Sequence, residues 1–359
     1  MTGSQPGTKI RTLVSDAPSD LVSRGQAIFE RLRAEPQAPV EVPPEAEPAP
    51  EIEPVAAEPE PVAAPDPEPP EPVAEAEAPP ETPAPPAAAP PAPQAEPDPR
   101  RFIRPLPRVF AVTNQKGGVG KTTTAVNLGA AVADQGYRVL VVDLDPQGNA
   151  TTGLGLNTRD LQSSMYDVIL HDASIDDCIE ATSVKNLFVA PASLDLAGAE
   201  IELVPAFSRE LKLRRALEEV RADYDYVFID CPPSLGLLTV NSLAAATEVM
   251  VPIQCEYYAL EGLGQLLRNV NLVQKNLNQA LEVTAIVLVM YDARTKLSDQ
   301  VVQEVKAHFG EKVCRTIVPR TVRLSEAPSY GQPITAFDPS SRGAIAYREL
   351  AKEVTGGTP

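Results

Sequence analysis

One short stretch of the chain carries the residue types that bind nucleotide phosphates. The apolar run Val109–Thr113 leads directly into a Gly-rich loop with two lysines, and a segment of helical composition follows. This order of strand, loop and helix lets backbone N–H groups and the helix N-terminus face phosphate oxygens. The sequence therefore predicts a nucleotide site in this loop, formed by Lys116, Gly117, Gly118, Val119, Gly120, Lys121, Thr122 and Thr123.

The two lysines of this loop have different predicted roles. Lys121 occupies the position from which a lysine reaches the β- and γ-phosphates, and the hydroxyl of Thr122 can coordinate Mg²⁺. Gln115 stands where the usual GxxxxGK[ST] pattern has its first glycine, and Lys116 adds a second positive charge. One nucleotide does not need both lysines from its own chain. We therefore expect one of them to serve the nucleotide of another subunit.

Three aspartates follow apolar runs farther along the chain. Asp143 and Asp145 come after Arg138–Val142, and Asp230 ends the run that begins at Tyr226. Carboxylates at the carboxyl ends of parallel strands lie in the crevice where ligands bind. A single aspartate in such a position is more often a helix cap or a turn residue. Three in this order, after a phosphate-binding loop, favour catalysis and Mg²⁺ binding, with Asp230 as the metal-binding carboxylate.

The composition divides the chain into a tail and one large domain. Residues 36–99 hold 24 prolines and 15 carboxylates, with no Lys, Arg or aromatic residue. Such a segment cannot bury enough apolar surface to offset the entropy of ordering it. We predict a disordered acidic linker over residues 36–108 and one domain over residues 109–359. Within residues 1–35, Asp20–Ala34 is amphipathic and either frays or forms a short helix that docks on a polar or cytoskeletal partner.

Charge and cysteine content exclude several classes of protein. The net charge of −18 argues against a chain that coats nucleic acid with its whole surface. The four cysteines are widely spaced and form no CxxC pair, which disfavours structural disulfides and zinc sites. The N-terminus lacks the apolar run of a signal peptide, and no stretch reaches the ~18 apolar residues of a membrane span. These features predict a cytoplasmic protein.

The apolar runs also predict the fold class. Strands are expected at about 109–113, 138–142, 186–190, 226–230, 247–253, 283–290 and 313–318, and they alternate with helical patterns. This alternation predicts an α/β domain with a mainly parallel, twisted sheet and helices on both faces.

Four further motifs are found along the chain: KGGVGKTTTAVNLG, VLVVDLDPQGNATTGLG, YDYVFIDCPPSLGLLTVNSL and PRTVRLSEAPSYGQPI. They resemble the ParA/Soj chromosome-partitioning ATPases, of the deviant-Walker type that includes MinD, and the resemblance covers nearly all of residues 108–356. It implies a sandwich dimer formed on ATP, in which Lys116 crosses to the phosphates of the partner subunit. Lys121 would hold the nucleotide of its own subunit, and Asp145 would position or activate the attacking water.

The resemblance further implies which residues contact Mg²⁺ and adenine. Thr122 and Asp230 would serve Mg²⁺. Pro319 and Thr321 fall where the family contacts adenine, although the family often has Asn at the position of Thr321.

DNA binding and a protein partner are also implied by the resemblance. It predicts sequence-independent DNA binding by the ATP dimer, association with the nucleoid, and ATP hydrolysis stimulated by a ParB-like partner. Residues 291–348 hold nine basic against six acidic residues, which is the local charge that phosphate contacts need. Arg294 and Arg323 match the DNA-contacting arginines of the family. The tail shows no helix-turn-helix pattern, so we expect no autorepressor role.

Two related functions are weighed against this one. A MinD-like ATPase would bind the membrane through a basic amphipathic C-terminal helix, whereas Ser341–Val354 has the pattern of a helix packed in the core. An iron–sulfur ATPase would need cysteines placed to bridge two subunits, whereas Cys231 and Cys255 have the pattern of small core residues. Both alternatives are disfavoured.

Overall fold

Seven strands form one sheet in this computed structural model, which describes residues 104–256 and 261–356. The predicted Asp20–Ala34 helix lies outside the described residues. Of the predicted linker, only residues 104–108 are described. The strands are β1 (Arg108–Val112), β2 (Val139–Asp143), β3 (Glu180–Ala181), β4 (Leu187–Ala190), β5 (Tyr226–Asp230), β6 (Glu248–Gln254) and β7 (Glu282–Val289). Their order in the sheet is β3-β4-β2-β5-β1-β6-β7, and every neighbouring pair is parallel except β3 and β4.

Eleven α-helices are present in the described residues. They are α1 (Lys121–Ala133), α2 (Asn149–Gly153), α3 (Met165–His171), α4 (Leu196–Glu202), α5 (Lys212–Val220), α6 (Leu237–Ala245), α7 (Glu261–Asn276), α8 (Lys296–Phe309), α9 (Val322–Glu326), α10 (Ile334–Phe337) and α11 (Arg342–Thr355). The predicted α/β class is therefore confirmed.

Successive residues of the central strands face opposite sides of the sheet, and both sides are buried. In β1, Phe110 and Val112 pack in one hydrophobic cluster with residues of α1, α2, α10 and α11. Val109 and Ala111 pack in a second cluster with residues of α3 to α8. A parallel sheet covered on both faces needs continuous apolar runs, and this explains why the central strands were recognisable in the sequence.

The C-terminal helix α11 belongs to the core. Ser341 caps its N-terminus by accepting a hydrogen bond from the N–H of Ala344, and the helix ends at Gly356 with φ = 80°. The apolar side chains of α11 are buried against the sheet, among them Tyr347, Leu350 and Val354. None of the helices in the described part of the chain is long and apolar enough to cross a membrane.

The strand predicted at residues 313–318 is wrong. Its N–H groups at Cys314 and Val318 donate to carbonyls of β7, but only isolated parallel bridges form, at Val313 and at Pro319 just after the segment. Between them the N–H groups of Arg315 and Thr316 donate to the carboxylate of Glu353, at 2.7 and 3.0 Å, instead of to a neighbouring strand. The seventh strand of the sheet is instead β3, whose exposed residues carry no apolar pattern.

The folded domain also begins earlier than predicted. β1 starts at Arg108, a residue that the sequence analysis placed in the linker. Arg108 is buried because its guanidinium pairs with both carboxylate oxygens of Glu248 in β6, at 2.6 and 2.8 Å. It also donates to the carbonyl oxygen of Val354 at 2.6 Å and stacks over the ring of Phe110. One charged side chain thus joins β1, β6 and α11.

We expect the change Glu248→Leu to destabilise the domain by about 3–5 kcal/mol, because it leaves the Arg108 guanidinium buried without its counter-ion. The double change Arg108→Met with Glu248→Leu should recover most of this loss. Urea unfolding of the full chain measures both effects. Glu218→Gln, which breaks the exposed pair with Arg214 at 3.4 Å, is the control and should cost less than about 1 kcal/mol. An unchanged unfolding midpoint for Glu248→Leu would contradict the structural role of the pair.

Candidate functional site

The loop between β1 and α1 has the backbone geometry of a phosphate-binding loop. Gly118 and Gly120 have φ angles of 73° and 82°, a region that residues with a side chain rarely adopt. Gly120 immediately precedes the first turn of α1, so the free N–H groups of that turn face the loop. The loop is anchored by Asn114, whose side-chain amide donates to the carbonyl of Pro252 at 2.8 Å and whose side-chain oxygen accepts from the N–H of Lys116.

The two lysines of the loop lie in different environments. Lys121 is only 6% exposed, and its Nζ donates to the carbonyl oxygen of Lys116 at 3.2 Å. Burial lowers the pKa of Lys121, an effect partly offset by the nearby Asp230, Cys231 and Asp145. The side chain of Lys116 is half-buried. The pocket in front of the loop is lined by Lys121 and not by Lys116.

This pocket has a volume of about 310 Å³ and combines backbone donors with polar side chains. It is lined by Gly117, Gly118, Gly120, Lys121, Thr122, Thr123, Asp145, Gln147, Asn149, Pro233 and Met290. Most of the residues predicted for phosphate binding therefore lie together. Two of the predicted loop residues do not line the pocket: Lys116, which is half-buried, and Val119, which is fully buried.

Asp230 is a buried carboxylate without hydrogen-bond partners. Both of its oxygens are inaccessible and unpaired, although the hydroxyl of Thr122 lies close enough to favour the charged form. Burial raises the pKa of Asp230 well above its ordinary value, and Asp143, its neighbour across the β2–β5 pair, raises it further. A buried charge in this state is unfavourable unless a cation or a donor compensates it.

Thr122 and Asp230 fit a Mg²⁺ ion. Mg²⁺ is commonly held by one or two protein oxygens, with water and phosphate oxygens completing the octahedron. In residues 104–256 and 261–356, no group of three His, Cys, Asp or Glu side chains could hold a metal by itself. The donor set is therefore that of a nucleotide-dependent Mg²⁺ site rather than of an all-protein metal cage.

Asp143 and Asp145 have separate roles in the structure. The carboxylate of Asp143 is fully buried and accepts hydrogen bonds from the N–H of Thr151 at 2.8 Å, from its Oγ1 at 2.7 Å, and from the N–H of Asp145 at 3.2 Å. Burial raises the pKa of Asp143 to about 6. Asp145 lines the pocket, where its Oδ1 accepts from the N–H of Gln147 at 3.0 Å. Asp143 therefore shapes the loop, and Asp145 faces the ligand space.

Thr151 is a site residue that the sequence analysis missed. It is fully buried, it donates twice to Asp143, and its Oγ1 accepts from the N–H of Ala192 at 2.9 Å. Nothing in its local sequence distinguishes it from Thr152, which follows it. Only the tertiary pairing of the β2 and β4 loops reveals the role of Thr151.

A second pocket, of about 340 Å³, adjoins the first and contains the residues predicted to contact adenine. Its lining includes Pro319 and Thr321, and it shares Gly120, Thr123 and Met290 with the phosphate pocket. The Thr321 hydroxyl accepts a hydrogen bond from the N–H of Leu324 at 3.3 Å and so caps α9. Asn and Thr both cap helix N-termini, so Thr321 can cap α9 as the Asn that is common in the family would.

Met290 was also missed, although it lies between the two pockets. Its φ of 54° places a residue with a side chain in the left-handed region. The side-chain amide of Gln254 contacts its sulfur at 2.9 Å. No pattern in the sequence predicts a left-handed backbone conformation at the methionine that follows β7.

Arg294 and Arg323 are exposed, and each is paired with an acid. The Arg294 guanidinium contacts both carboxylate oxygens of Asp292, with a shortest distance of 2.6 Å, and lowers the pKa of Asp292. Arg323 lies 3.0 Å from Glu326 and 3.4 Å from Asp338. A ligand that binds these arginines must therefore compete with the carboxylates that pair with them.

The fold and the site together define a P-loop nucleotide-binding protein. Residues 107–283 match the family described as AAA domain. Over 247 residues the chain is 61% identical to the sporulation initiation inhibitor protein Soj of Bacillus subtilis, spanning 69% of this chain and 98% of that protein. It is 52% identical over 249 residues to the chromosome partitioning protein ParA of Caulobacter vibrioides, spanning 69% and 93%. The chain belongs to the ParA/Soj family of chromosome-partitioning ATPases, as its motifs predicted.

Solved structures share the fold of this chain. A cobyrinic acid a,c-diamide synthase from Mycobacterium smegmatis with bound ADP and magnesium is 43% identical, with a TM-score of 0.61 over 69% of this chain and 93% of that one. The septum site-determining protein MinD from Pyrococcus horikoshii, complexed with Mg-ADP, is 26% identical, with a TM-score of 0.57 over 69% and 95%.

We predict that Asp230→Asn stabilises the nucleotide-free protein at pH 7.5 by about 1–3 kcal/mol, because it removes an unpaired buried carboxylate. The raised pKa of Asp230 means that the folded state binds its proton more tightly than the unfolded state does. The destabilisation by Asp230 is therefore absent below the unfolded pKa and grows as the pH rises through the folded pKa, so the gain from Asn should shrink toward pH 4.

Urea unfolding in EDTA at several pH values measures this effect. Asp223→Asn, at an exposed position, is the matched control and should change stability by less than about 0.5 kcal/mol. A loss of stability for Asp230→Asn at pH 7.5 would contradict the prediction.

Proposed function

We propose that this chain is an ATP-dependent DNA-partitioning ATPase. It binds ATP with Mg²⁺, dimerises on ATP, binds DNA without sequence preference, and hydrolyses ATP when a ParB-like partner stimulates it. It works in the cytoplasm in association with the nucleoid. The observation that carries this proposal is the division between the lysines, because Lys121 lines the pocket of its own chain whereas Lys116 does not.

The two adjoining pockets accommodate the two ends of ATP. The phosphates lie against the loop N–H groups, Lys121 and Thr123, and the adenine lies between Pro319 and Thr321. Family membership supports this placement, as do the structural relatives that are complexed with ADP and magnesium. Thr122 and Asp230 would hold a Mg²⁺ ion, which would supply positive charge to the transferring phosphoryl group.

Lys116 and Asp145 complete the catalytic site. Asp145 positions or activates the attacking water at the pocket. Lys116 supplies positive charge to the phosphates of the partner subunit, where negative charge is concentrated during phosphoryl transfer. An isolated monomer therefore lacks one catalytic group, so hydrolysis depends on the dimer.

Turnover of ATP by the full chain tests the proposed function as a whole. Phosphate release is measured with DNA, with a ParB-like protein from the same source, and with both together. Hydrolysis should be slow alone and fastest with both. Equal rates under the four conditions would contradict the proposal.

We predict that Lys116→Ala keeps part of the ATP affinity but abolishes dimerisation and hydrolysis, whereas Lys121→Ala loses nucleotide binding. The reason is that only Lys121 contacts the nucleotide of its own chain. Nucleotide titration and sedimentation with ATP separate the two effects. Lys185→Ala, at an exposed lysine, is the control. A stable ATP-dependent dimer of Lys116→Ala would rule out the crossing role.

DNA binding uses Arg294 and Arg323 in this proposal. Exposed ion pairs contribute only about 0–1 kcal/mol, so phosphates can displace Asp292, Glu326 and Asp338 at little cost. Two copies of the surface in one dimer bind DNA with greater avidity than either copy alone, and this makes DNA affinity depend on ATP.

We expect Arg294→Ala and Arg323→Ala to weaken binding to all DNA sequences alike, because phosphate contacts carry no base specificity. Each change should reduce the slope of log affinity against log salt by ~0.9. Fluorescence anisotropy across a salt series measures this slope, with Arg214→Ala as the control from α5. ATP-driven dimerisation should survive both changes, and its loss would show that the arginines are structural.

A further inference from the structure

Asn127 is a buried polar residue of α1 that has no part in the function proposed above. It is 3% exposed, and its side-chain amide is hydrogen-bonded at both ends. Its Nδ2 donates to the carbonyl oxygen of Thr123, one turn earlier in the same helix, at 2.7 Å. Its Oδ1 accepts from the N–H of Ile334, which lies 207 positions later in the chain, at 2.6 Å. One side chain therefore ties the helix that follows the phosphate-binding loop to the C-terminal part of the domain.

Ile334 directly follows the segment that carries the residues predicted to contact adenine. We name residues 319–333 the base segment. The second pocket is lined by residues of the base segment, such as Pro319 and Pro328, and by Thr123 at the start of α1. The pocket lies between these two parts of the chain. Its shape therefore depends on how the base segment is placed relative to α1.

Contacts near both ends of the base segment anchor it to the rest of the domain. Near its beginning, the N–H of Arg320 donates to the carbonyl oxygen of Tyr291 at 2.9 Å. At its end are the hydrogen bond with Asn127 and a close approach of two backbones. A Cβ added to Gly331 would lie 2.8 Å from the Cα of Gly155, just after α2. The Asn127 side chain is thus one of the few points that set the position of the base segment.

A third pocket, of about 240 Å³, lies between α1 and the base segment beside this hydrogen bond. It is lined by Val126 and Asn127 from α1 and by Pro328 and Gln332 from the base segment. Side chains that face each other across an open space lose the contacts by which packed neighbours hold each other in place. The hydrogen bond between Asn127 and Ile334 therefore constrains the base segment more than it would in a closely packed core.

We propose that Asn127 is a positioning residue for adenine recognition. This inference rests on the proposed function, in which adenine lies between Pro319 and Thr321. Because Asn127 lies one turn after Thr123, it fixes the base segment relative to the helix that contacts the phosphates. Loss of its bond to Ile334 leaves a buried N–H unpaired and frees the end of the base segment. The pocket for the base then loosens, while the phosphate-binding loop keeps its shape.

Asn241 in α6 offers a matched control, because it repeats this arrangement and lines none of the three pockets. It is fully buried, and its Nδ2 donates to the carbonyl oxygen of Leu237, one turn earlier, at 2.9 Å. It also joins α6 to other elements, since Nδ2 donates to the carbonyl oxygen of Arg209 at 2.8 Å and Oδ1 accepts from the N–H of Leu213 at 3.2 Å. A serine in a helix can donate to the carbonyl one turn earlier but is shorter than asparagine. Serine at either position therefore removes the contacts to other elements, but only Asn127→Ser removes one to the base segment.

Binding of Mg²⁺-ADP, Mg²⁺-GDP and Mg²⁺-pyrophosphate to the full chain tests this proposal. The three probes share two phosphates and differ in the base, and none of them brings in the dimer proposed for ATP. Asn127→Ser should weaken ADP binding about tenfold and reduce the preference for ADP over GDP, because a buried group has lost its partner. Its affinity for pyrophosphate should not change. Asn241→Ser should leave all three affinities unchanged, although urea unfolding should show that both variants are destabilised.

An unchanged preference for ADP over GDP in Asn127→Ser would overturn this inference alone, as would a parallel loss of pyrophosphate affinity. A wild-type chain that does not prefer ADP to GDP would overturn the proposed placement of adenine as well. Hydrogen exchange of the wild-type chain adds a test that does not depend on the folding of a variant. ADP should slow exchange in the base segment more than pyrophosphate does, and equal protection by the two probes would contradict the proposal.

Discussion

The parallel pairing of β2, β5 and β1 is the constraint on which the site depends. In this register Asp143 lies opposite Asp230, and Asp230 lies opposite Val112, the last residue before the phosphate-binding loop. Both faces of these strands are buried. A one-residue slip in the pairing would move every side chain of a strand to the opposite face of the sheet, and it is strongly disfavoured because it would disrupt the packing on both faces. Core packing thus fixes the position of the Asp230 carboxylate relative to the loop that follows β1.

Two features at the carboxyl edge of the sheet reduce the stability of the domain. Asp230 is buried without a hydrogen bond, and Met290 holds a left-handed backbone conformation beside the pocket. Both features persist because the surrounding sheet over-determines them. By contrast, Asp143, which is equally buried, is compensated by three donors from the loop that carries Asp145. The two buried carboxylates therefore differ in their surroundings, since protein donors compensate Asp143 and no hydrogen bond compensates Asp230.

The sequence predicted the fold class and most of the pocket, for physical reasons. Buried parallel strands have continuous apolar runs, and a phosphate loop needs glycines at fixed positions, so both leave local signals. The failures involve contacts between distant residues. The Glu353 carboxylate accepts hydrogen bonds from the N–H groups of residues 315 and 316, where a strand was predicted. Glu248 forms a buried ion pair with Arg108, which was predicted to lie in the linker. Neither partner can be identified from the residues around it.

The carboxyl edge of the sheet also connects the loop after β2 to the segment after β4. Thr151 donates to Asp143 and accepts from Ala192, so it links the loop that carries Asp145 to the segment that leads into α4. An apolar side chain of the same size would fill the same space, but it would leave the Asp143 carboxylate without one donor and the N–H of Ala192 without its acceptor. A buried polar group that loses its partner costs about 1–3 kcal/mol. This explains why a fully buried threonine lies between the two loops.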